Sequence, residues 1–337
     1  MPIDIVLDAM GSDKAPDPEV RGAVLAARSL DVRVHLVGPE EILRPKLRAA
    51  LKLHGGSERL PVFIVQASEW ISMDDKAALA VRSKRDSSMR VGLKMVREGR
   101  AAGFVTAGNS GAAMATAKMV LGSLAGVDRP ALATSLPTIT GSPCVLLDVG
   151  ANVDSDPENL RQFAVMGHVY SKNVWRIASP RVGLLSIGEE DGKGNSLTRD
   201  TFPLLRELAI NFMGNVEGRD LFNGRCDVVV CDGFTGNVAL KTCEGTAKLL
   251  SVSLKQSLKS TVTSQVGALL SRKAFQAFKK RLDYSEYGGA QLLGVRGPVI
   301  VGHGSSNERA VMNCIRVAAE FAAAEVIPNI EAALANS

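Results

Sequence analysis

Gly103-Phe-Val-Thr-Ala-Gly-Asn-Ser-Gly-Ala-Ala-Met-Ala-Thr-Ala117 begins as a buried-type strand, breaks at Gly108-Asn109-Ser110-Gly111 and restarts as an alanine-rich helix. Glycines at such a junction let the main chain approach a ligand. The first helical N–H groups and the positive end of the helix dipole point at whatever sits there, and the expected occupant is an anion, phosphate first of all. Asn109 and Ser110 are therefore candidates for handling the reacting group, and Gly108 and Gly111 for binding phosphate.

The same strand-to-helix grammar recurs outward from this stretch. IDIVLDAMG, VRVHLVG, PVFIVQA, PCVLLDVGAN, RVGLLSIGEE, CDVVVCDGFTGN and GPVIVGHGSSN are short apolar runs ending in Gly, Asp or Asn. Helical patterns fall near residues 17–30, 40–53, 86–99, 110–124, 157–173, 196–210, 237–258 and 306–324. Continuous apolar strands alternating with helices predict an α/β fold with a mainly parallel sheet covered on both faces. No repeat or linker divides the chain, so one continuous body over residues 1–337 is expected, with a helical excursion over 245–285.

In parallel sheets ligands bind at the carboxyl ends of strands. Five strand ends here carry small residues and short polar side chains: Asp8 to Gly11, Thr106 to Gly111, Asp148 to Asn152, Asp232 to Asn237 and His303 to Asn307. The expectation is that they converge on one sheet edge and line a polar cleft. Thr235, Gly236 and Asn237 join the phosphate candidates. Asp8, Asp148, Asn152, Asp232 and Ser305 are placed elsewhere in the cleft. Each of these polar residues would equally cap a helix with no ligand present. The doubled glycine around Asn109 and Ser110 exceeds what capping requires.

Gly188-Glu-Glu-Asp-Gly-Lys193-Gly-Asn195 reads either as a solvated turn or as a flexible loop whose Lys193 swings over the cleft. His303 ends an apolar strand, where a structural histidine and a catalytic one look alike. The first turn lacks G-x-G-x-x-G, and the Gly108 turn is neither a P-loop nor a nucleophile elbow. Five single cysteines with no C-x-x-C, and four scattered histidines without H-E-x-x-H, point to no disulfide framework and no metal. No cofactor is expected.

The net charge of +5 is local: Ser251 to Leu282 holds seven cations and no acid, leaving 5 − 7 = −2 for the rest. Aromatic content of 4% supplies no stacking platforms, which argues against nucleic acid. Within this segment Leu254, Leu258, Val262, Val266 and Leu269 recur at helical spacing, interrupted near Ser260 to Ser264. The pattern predicts an amphipathic helical hairpin for a dimer interface, an anionic bilayer or another acidic partner. Its contact residues are Leu258, Lys259, Val262, Val266, Leu269, Arg272 and Lys273. The amino terminus shows no signal segment, and no run approaches a membrane span, so a cytoplasmic protein is expected.

DAMGSDKAP, TAGNSGA, LLDVGANVD, SIGEEDGKGN, CDGFTGNVALK and GHGSSN, in this order across the chain, resemble the bacterial phosphate acyltransferases of phospholipid synthesis, the PlsX family. The resemblance implies transfer of a long-chain acyl group from acyl carrier protein to inorganic phosphate. It also implies a three-layer α/β/α fold related to phosphate acetyltransferases and the isocitrate dehydrogenase group, a homodimer, and peripheral association with the inner face of the cell membrane. Competing readings are a phosphate acetyl- or butyryltransferase using coenzyme A thioesters, a nicotinamide-dependent hydroxyacid dehydrogenase, and a non-enzymatic membrane scaffold.

Overall fold

The computed structural model describes residues 1–53, 60–282 and 288–336. Its strands are β1 Ile3–Asp8, β2 Val32–Gly38, β3 Val62–Gln66, β4 Gly103–Thr106, β5 Ala131–Leu136, β6 Cys144–Leu147, β7 Arg181–Leu185, β8 Asn211–Val216, β9 Val228–Val230, β10 Ala290–Leu293 and β11 Val299–Val301. The helices are α1 Asp17–Ser29, α2 Glu40–Leu53, α3 Ala77–Ser83, α4 Ser88–Arg97, α5 Ser110–Val120, α6 Pro157–Val174, α7 Ser196–Arg206, α8 Asp220–Asn223, α9 Gly233–Lys259, α10 Val262–Leu270, α11 Arg272–Leu282, α12 Glu308–Ala323 and α13 Val326–Ala335.

One sheet runs through the described residues in the order β3-β2-β1-β4-β11-β10-β5-β6-β9-β7-β8. Successive residues of a strand point to opposite faces, and both faces are covered. Ile5 and Leu7 join a core with Val105, Leu147, Phe163 and Ile315 under α1, α6 and α12. Val6, Phe104, Leu146 and Val229 join the other core with Met89 and Leu93 of α4 and Ala112, Ala113 and Ala117 of α5. The central strands β4, β6, β9 and β11 are buried residue by residue on both faces, and the three-layer α/β/α architecture follows. The alanines of α5 and Gly92 of α4 bring these helices close to the sheet; a Cβ on Gly92 would stand 2.7 Å from the Phe104 ring.

Three strands, β5, β8 and β10, are absent from the sequence reading, and two of them decide the topology. β10 is antiparallel to both β11 and β5, and β5 is antiparallel to β6. The other pairings, on either side, are parallel. Three reversals in succession mean that β1, β2, β3, β4 and β11 run one way and β6, β7, β8 and β9 the other. Alternation failed to reveal these strands because β5 is built on Ala131, Ala133 and Thr134. β8 carries Asn211, Gly214 and Asn215, and β10 is only the four residues Ala290–Leu293, one of them Gln291.

The helix expected over 237–258 starts four residues earlier, at Gly233. α9 runs 27 residues from Gly233, and the chain breaks at Ser260 before Thr261 caps α10 by accepting the Ser264 N–H at 3.1 Å. Residues 283–285 of the expected excursion lie outside the described residues. All five cysteines are free, four of them buried.

Candidate active site

The strand directions correct the expectation of a single edge. Within one chain, Asp8, the Gly108 to Gly111 turn and His303 to Ser305 stand at the edge where β1, β4 and β11 end. Asp148, Asn152, Asp232 to Asn237 and Lys193 stand at the opposite edge, beyond β6, β9 and β7. The polar turns form two clusters, not one.

In the first cluster Asp8 is the fixed point. Its Oδ1 accepts the Met10 N–H at 3.1 Å and its Oδ2 accepts the Thr106 hydroxyl at 2.8 Å, while Thr106 Oγ1 accepts the Gly108 N–H at 3.0 Å. The two turns touch: a Cβ on Gly11 would lie 2.8 Å from Asp8 Oδ2 and 2.9 Å from Gly108 Cα, so both positions need glycine. Burial raises the Asp8 carboxyl, against the hydrogen bonds that favour its ionised form. The third turn joins through the Asp13 N–H, which donates to the Gly304 carbonyl at 2.9 Å.

Asn109 caps α5. Its Oδ1 accepts the Ala112 N–H at 3.0 Å, and its Nδ2 donates to the Met73 and Asp75 carbonyls at 3.3 and 3.2 Å. These bonds hold the turn in place. The Ala113 N–H donates to the Asn109 carbonyl. Among the described residues no acceptor meets the N–H groups of Ser110 and Gly111. The Ser110 hydroxyl is exposed, and the first turn of α5 holds no acid. Two aligned donors at a dipole's positive end are thus left without an acceptor among the described residues.

His303 is exposed, and its Nδ1 accepts the Ser305 N–H at 3.2 Å with the Ser305 hydroxyl 2.8 Å away. A neutral ring in this arrangement carries its hydrogen on Nε2, which faces away from Ser305.

The second cluster is more self-contained. Asp148 is fully buried and takes four hydrogen bonds: Leu132 N and Ala151 N on Oδ1, both at 3.0 Å, and Asn152 N and Nδ2 on Oδ2 at 2.7 and 2.9 Å. It holds its own turn together. Asp232 caps α9, its Oδ1 accepting the Thr235 N–H at 2.8 Å and its Oδ2 the Thr235 hydroxyl at 2.7 Å. The Gly233 and Gly236 N–H groups donate to the Asn152 and Asp232 carbonyls. Thr235 and Gly236, expected to cradle phosphate with main-chain donors, have those donors taken and a carboxylate already at the helix start. The side chains of Phe234, Thr235 and Asn237 are exposed on this turn.

Lys193 stands differently. Two acids of its loop are held by arginines, Glu189 by Arg225 at 2.7 Å and Arg219 at 3.1 Å and Asp191 by Arg206 at 3.6 Å, while the Glu190 carboxylate lies on the same side of Gly188 as the Lys193 stem. The Glu190 carbonyl accepts the Asn215 amide and the Lys193 N–H. Lys193 is exposed and makes no ion pair among the described residues, so its charge is left for another anion. Beside it a cavity of about 160 Å³ is lined by Ser186, Asn195, Thr198, Asp232 and Thr235. Ser186 Oγ is buried there without a partner. The sequence reading passed over Ser186 and Thr198; the position of Ser186 directly after a buried strand was the available signal.

Of the expected contact residues in the excursion, Leu258 and Lys259 line an apolar groove of about 810 Å³ with Leu254, Phe275 and Phe278. Val262, Val266 and Leu269 are exposed on α10, and Arg272 and Lys273 are exposed where α11 begins. Only Gly233 and Gly236 of α9 are buried, and Leu249, Leu250 and Val252 are 65%, 52% and 46% exposed. No described helix is long and apolar enough to cross a membrane, and no group of three or more His, Cys, Asp or Glu among the described residues is placed to hold a metal.

Comparison with known proteins supplies the context. The family model described as fatty acid synthesis protein matches residues 3–329. A phosphate acyltransferase of Acidobacterium capsulatum is 67% identical over 98% of this chain and 96% of its own length. One from Geobacillus thermodenitrificans is 50% identical over 98% and 99%. Among solved structures, a phosphotransacetylase from Streptococcus pyogenes superposes with a TM-score of 0.61 at 17% identity, covering 96% of this chain and 94% of that one, which establishes the shared fold. The chain belongs to the fatty acid synthesis protein family, in which its close relatives are phosphate acyltransferases, and it is an acyltransferase.

Proposed function

We propose that this enzyme transfers a long-chain fatty acyl group from the thioester of acyl carrier protein to inorganic phosphate. A phosphate oxygen attacks the thioester carbonyl carbon, the tetrahedral oxyanion collapses, and the C–S bond breaks to leave acyl phosphate and the carrier thiol. A thiolate is a good leaving group and phosphate is ionised near neutrality. The protein must mainly hold two negative groups together and stabilise the developing oxyanion.

The observation that carries this reading is the start of α5, where the Ser110 and Gly111 amides are free. Phosphate sits there, with the Ser110 hydroxyl as a further donor. Lys193 neutralises charge as the transition state forms, helped by Asn237, and the His303 Nε2 hydrogen is offered to the departing sulfur. Asp8 and Thr106 fix the turns.

Because Ser110 and Lys193 lie at opposite edges of one sheet, we infer that the site is completed by a second copy. The Lys193 edge of one chain faces the α5 edge of its mate. The long exposed face of α9, which starts in the Asp232 cluster, is the surface such a homodimer would cover. The exposed apolar residues of α10, with Lys259, Arg272 and Lys273 nearby, suit docking on the anionic inner face of the cell membrane, where each cation contributes about 1 kcal/mol.

The test is to mix long-chain acyl carrier protein with phosphate and follow thiol release and acyl phosphate. Preference for an acetyl or butyryl coenzyme A donor would move the enzyme to the phosphate acetyltransferase class. Vesicle binding without thioester consumption would leave only a scaffold.

A further inference from the structure

Glu19 has no part in the chemistry above, yet its carboxyl group is completely buried in the first turn of α1, directly behind the Met10 to Ser12 turn. Oε1 accepts the Ser12 N–H at 3.3 Å, whereas Oε2 has no partner and the Ser12 hydroxyl, also buried, has none either. No cation pairs with it among the described residues. The buried carboxyl of Asp8 acts on it with the same sign. Two buried carboxyl groups without a counter-charge do not both ionise at modest cost.

Surrounding elements offer no relief. Lys46 of α2 is paired with Asp17 on the exposed side of α1, and Arg33 and His35 of β2 pair with Asp4 near the start of β1. Glu308 opens α12, which packs on α1, and the Asp13 main chain is tied to the His303 turn.

We propose that Glu19 is a positioning residue, held as the neutral acid beneath the Met10 to Ser12 turn, whose proton keeps the phosphate end of the site in place. As an acid it donates a hydrogen to the Ser12 hydroxyl or an adjacent acceptor. It thereby anchors Ser12, and with it the turn that touches Gly108 and, through Asp13, Gly304. When the proton leaves, a second negative charge appears beside Asp8, the hydrogen bond is lost, and the wall that receives phosphate both loosens and becomes repulsive. Burial pushes the Glu19 carboxyl up to about 7, so the change falls in the working range. This inference rests on the placement of phosphate at α5.

The experiment measures KM for phosphate and kcat from pH 6 to 8.5 for wild type, Glu19→Gln and Glu19→Leu, both neutral and of similar size. Phosphate's own ionisation is common to all three and cancels in the ratio. Expected is a wild-type KM that rises about three- to tenfold relative to Glu19→Gln across this range, with kcat ratios unchanged. A KM ratio independent of pH, for either variant that folds, overturns the role of Glu19. Wild type that consumes thioester without depending on phosphate at any pH overturns the underlying reading instead.

Discussion

Gly236→Ala tests how tightly the start of α9 is fitted to the sheet. A Cβ at this position would lie 1.9 Å from the Asp148 carbonyl oxygen and 2.9 Å from Cys231 Sγ. Since carbon does not approach such atoms closer than about 3.0 Å, α9 must retreat by at least about 1 Å, the difference between 3.0 and 1.9 Å. The obstacle is main chain and cannot rotate away. The retreat carries Asp232, Thr235 and Asn237 with it and opens the cavity next to Lys193. Overpacking of this kind costs about 1–3 kcal/mol of stability, and misplacement of reacting groups by about 1 Å lowers turnover on the order of 100-fold. The assay is phosphate-dependent release of carrier thiol, with thermal unfolding in parallel. Gly218→Ala, where an added Cβ meets nothing within 4 Å, is the control and is expected to shift stability by less than about 0.5 kcal/mol. A folded Gly236→Ala enzyme with wild-type turnover would refute the placement of this turn in the active site.

Further outcomes are expected elsewhere. Lys193→Ala should lower kcat on the order of 100-fold or more while leaving thermal stability within about 0.5 kcal/mol, since the side chain is exposed and packs little; unchanged turnover would remove it from the mechanism. Glu19, raised in the folded state from 4.5 to about 7, contributes stability that is complete below pH 4.5 and is lost as pH rises through 7. Over 2.5 pH units this amounts to roughly 3 kcal/mol, so Glu19→Gln should match wild type in acid and exceed it above pH 7 by up to about that amount in denaturant unfolding. Val262→Glu with Val266→Glu should lose flotation with anionic liposomes while keeping soluble turnover; full lipid binding by the pair would defeat the membrane proposal.

The alternation of β-branched runs and helices was enough to read the fold class, because strands buried on both faces are apolar throughout. The arrangement of the site was not readable in the same way. Asp8, Thr106, Asp148 and Asp232 all end strands in similar motifs, and sequence spacing carries no information on which way each strand runs. That direction is set by β5 and β10, whose alanines and polar residues escape a hydrophobic-run search, and their reversals send the two groups of turns to opposite edges. The free donors of α5 and the occupied donors of α9 likewise look alike as Gly-Asn-Ser-Gly and Gly-Phe-Thr-Gly. The difference lies in the first helical amide and in the charge of the cap: the Gly233 N–H donates to the Asn152 carbonyl beside the acid Asp232, whereas the Ser110 N–H meets no acceptor among the described residues and its cap, Asn109, is neutral. Glu19 was invisible because an acid in a first helical turn is ordinary at a surface, and only the fold sets it behind the Met10 to Ser12 turn, where it is buried.

The most direct measurement is complementation between two inactive chains. Ser110→Asp places a carboxylate where phosphate binds, at a helix start that tolerates it, and Lys193→Ala removes the cation from the other edge. Each is inactive alone under this account, and random reassociation of the two yields dimers of which half are mixed, each with one intact site. Acyl carrier protein thioester and phosphate should then be consumed at about a quarter of the wild-type rate. A mixture that associates but stays inactive would contradict a site shared between two copies.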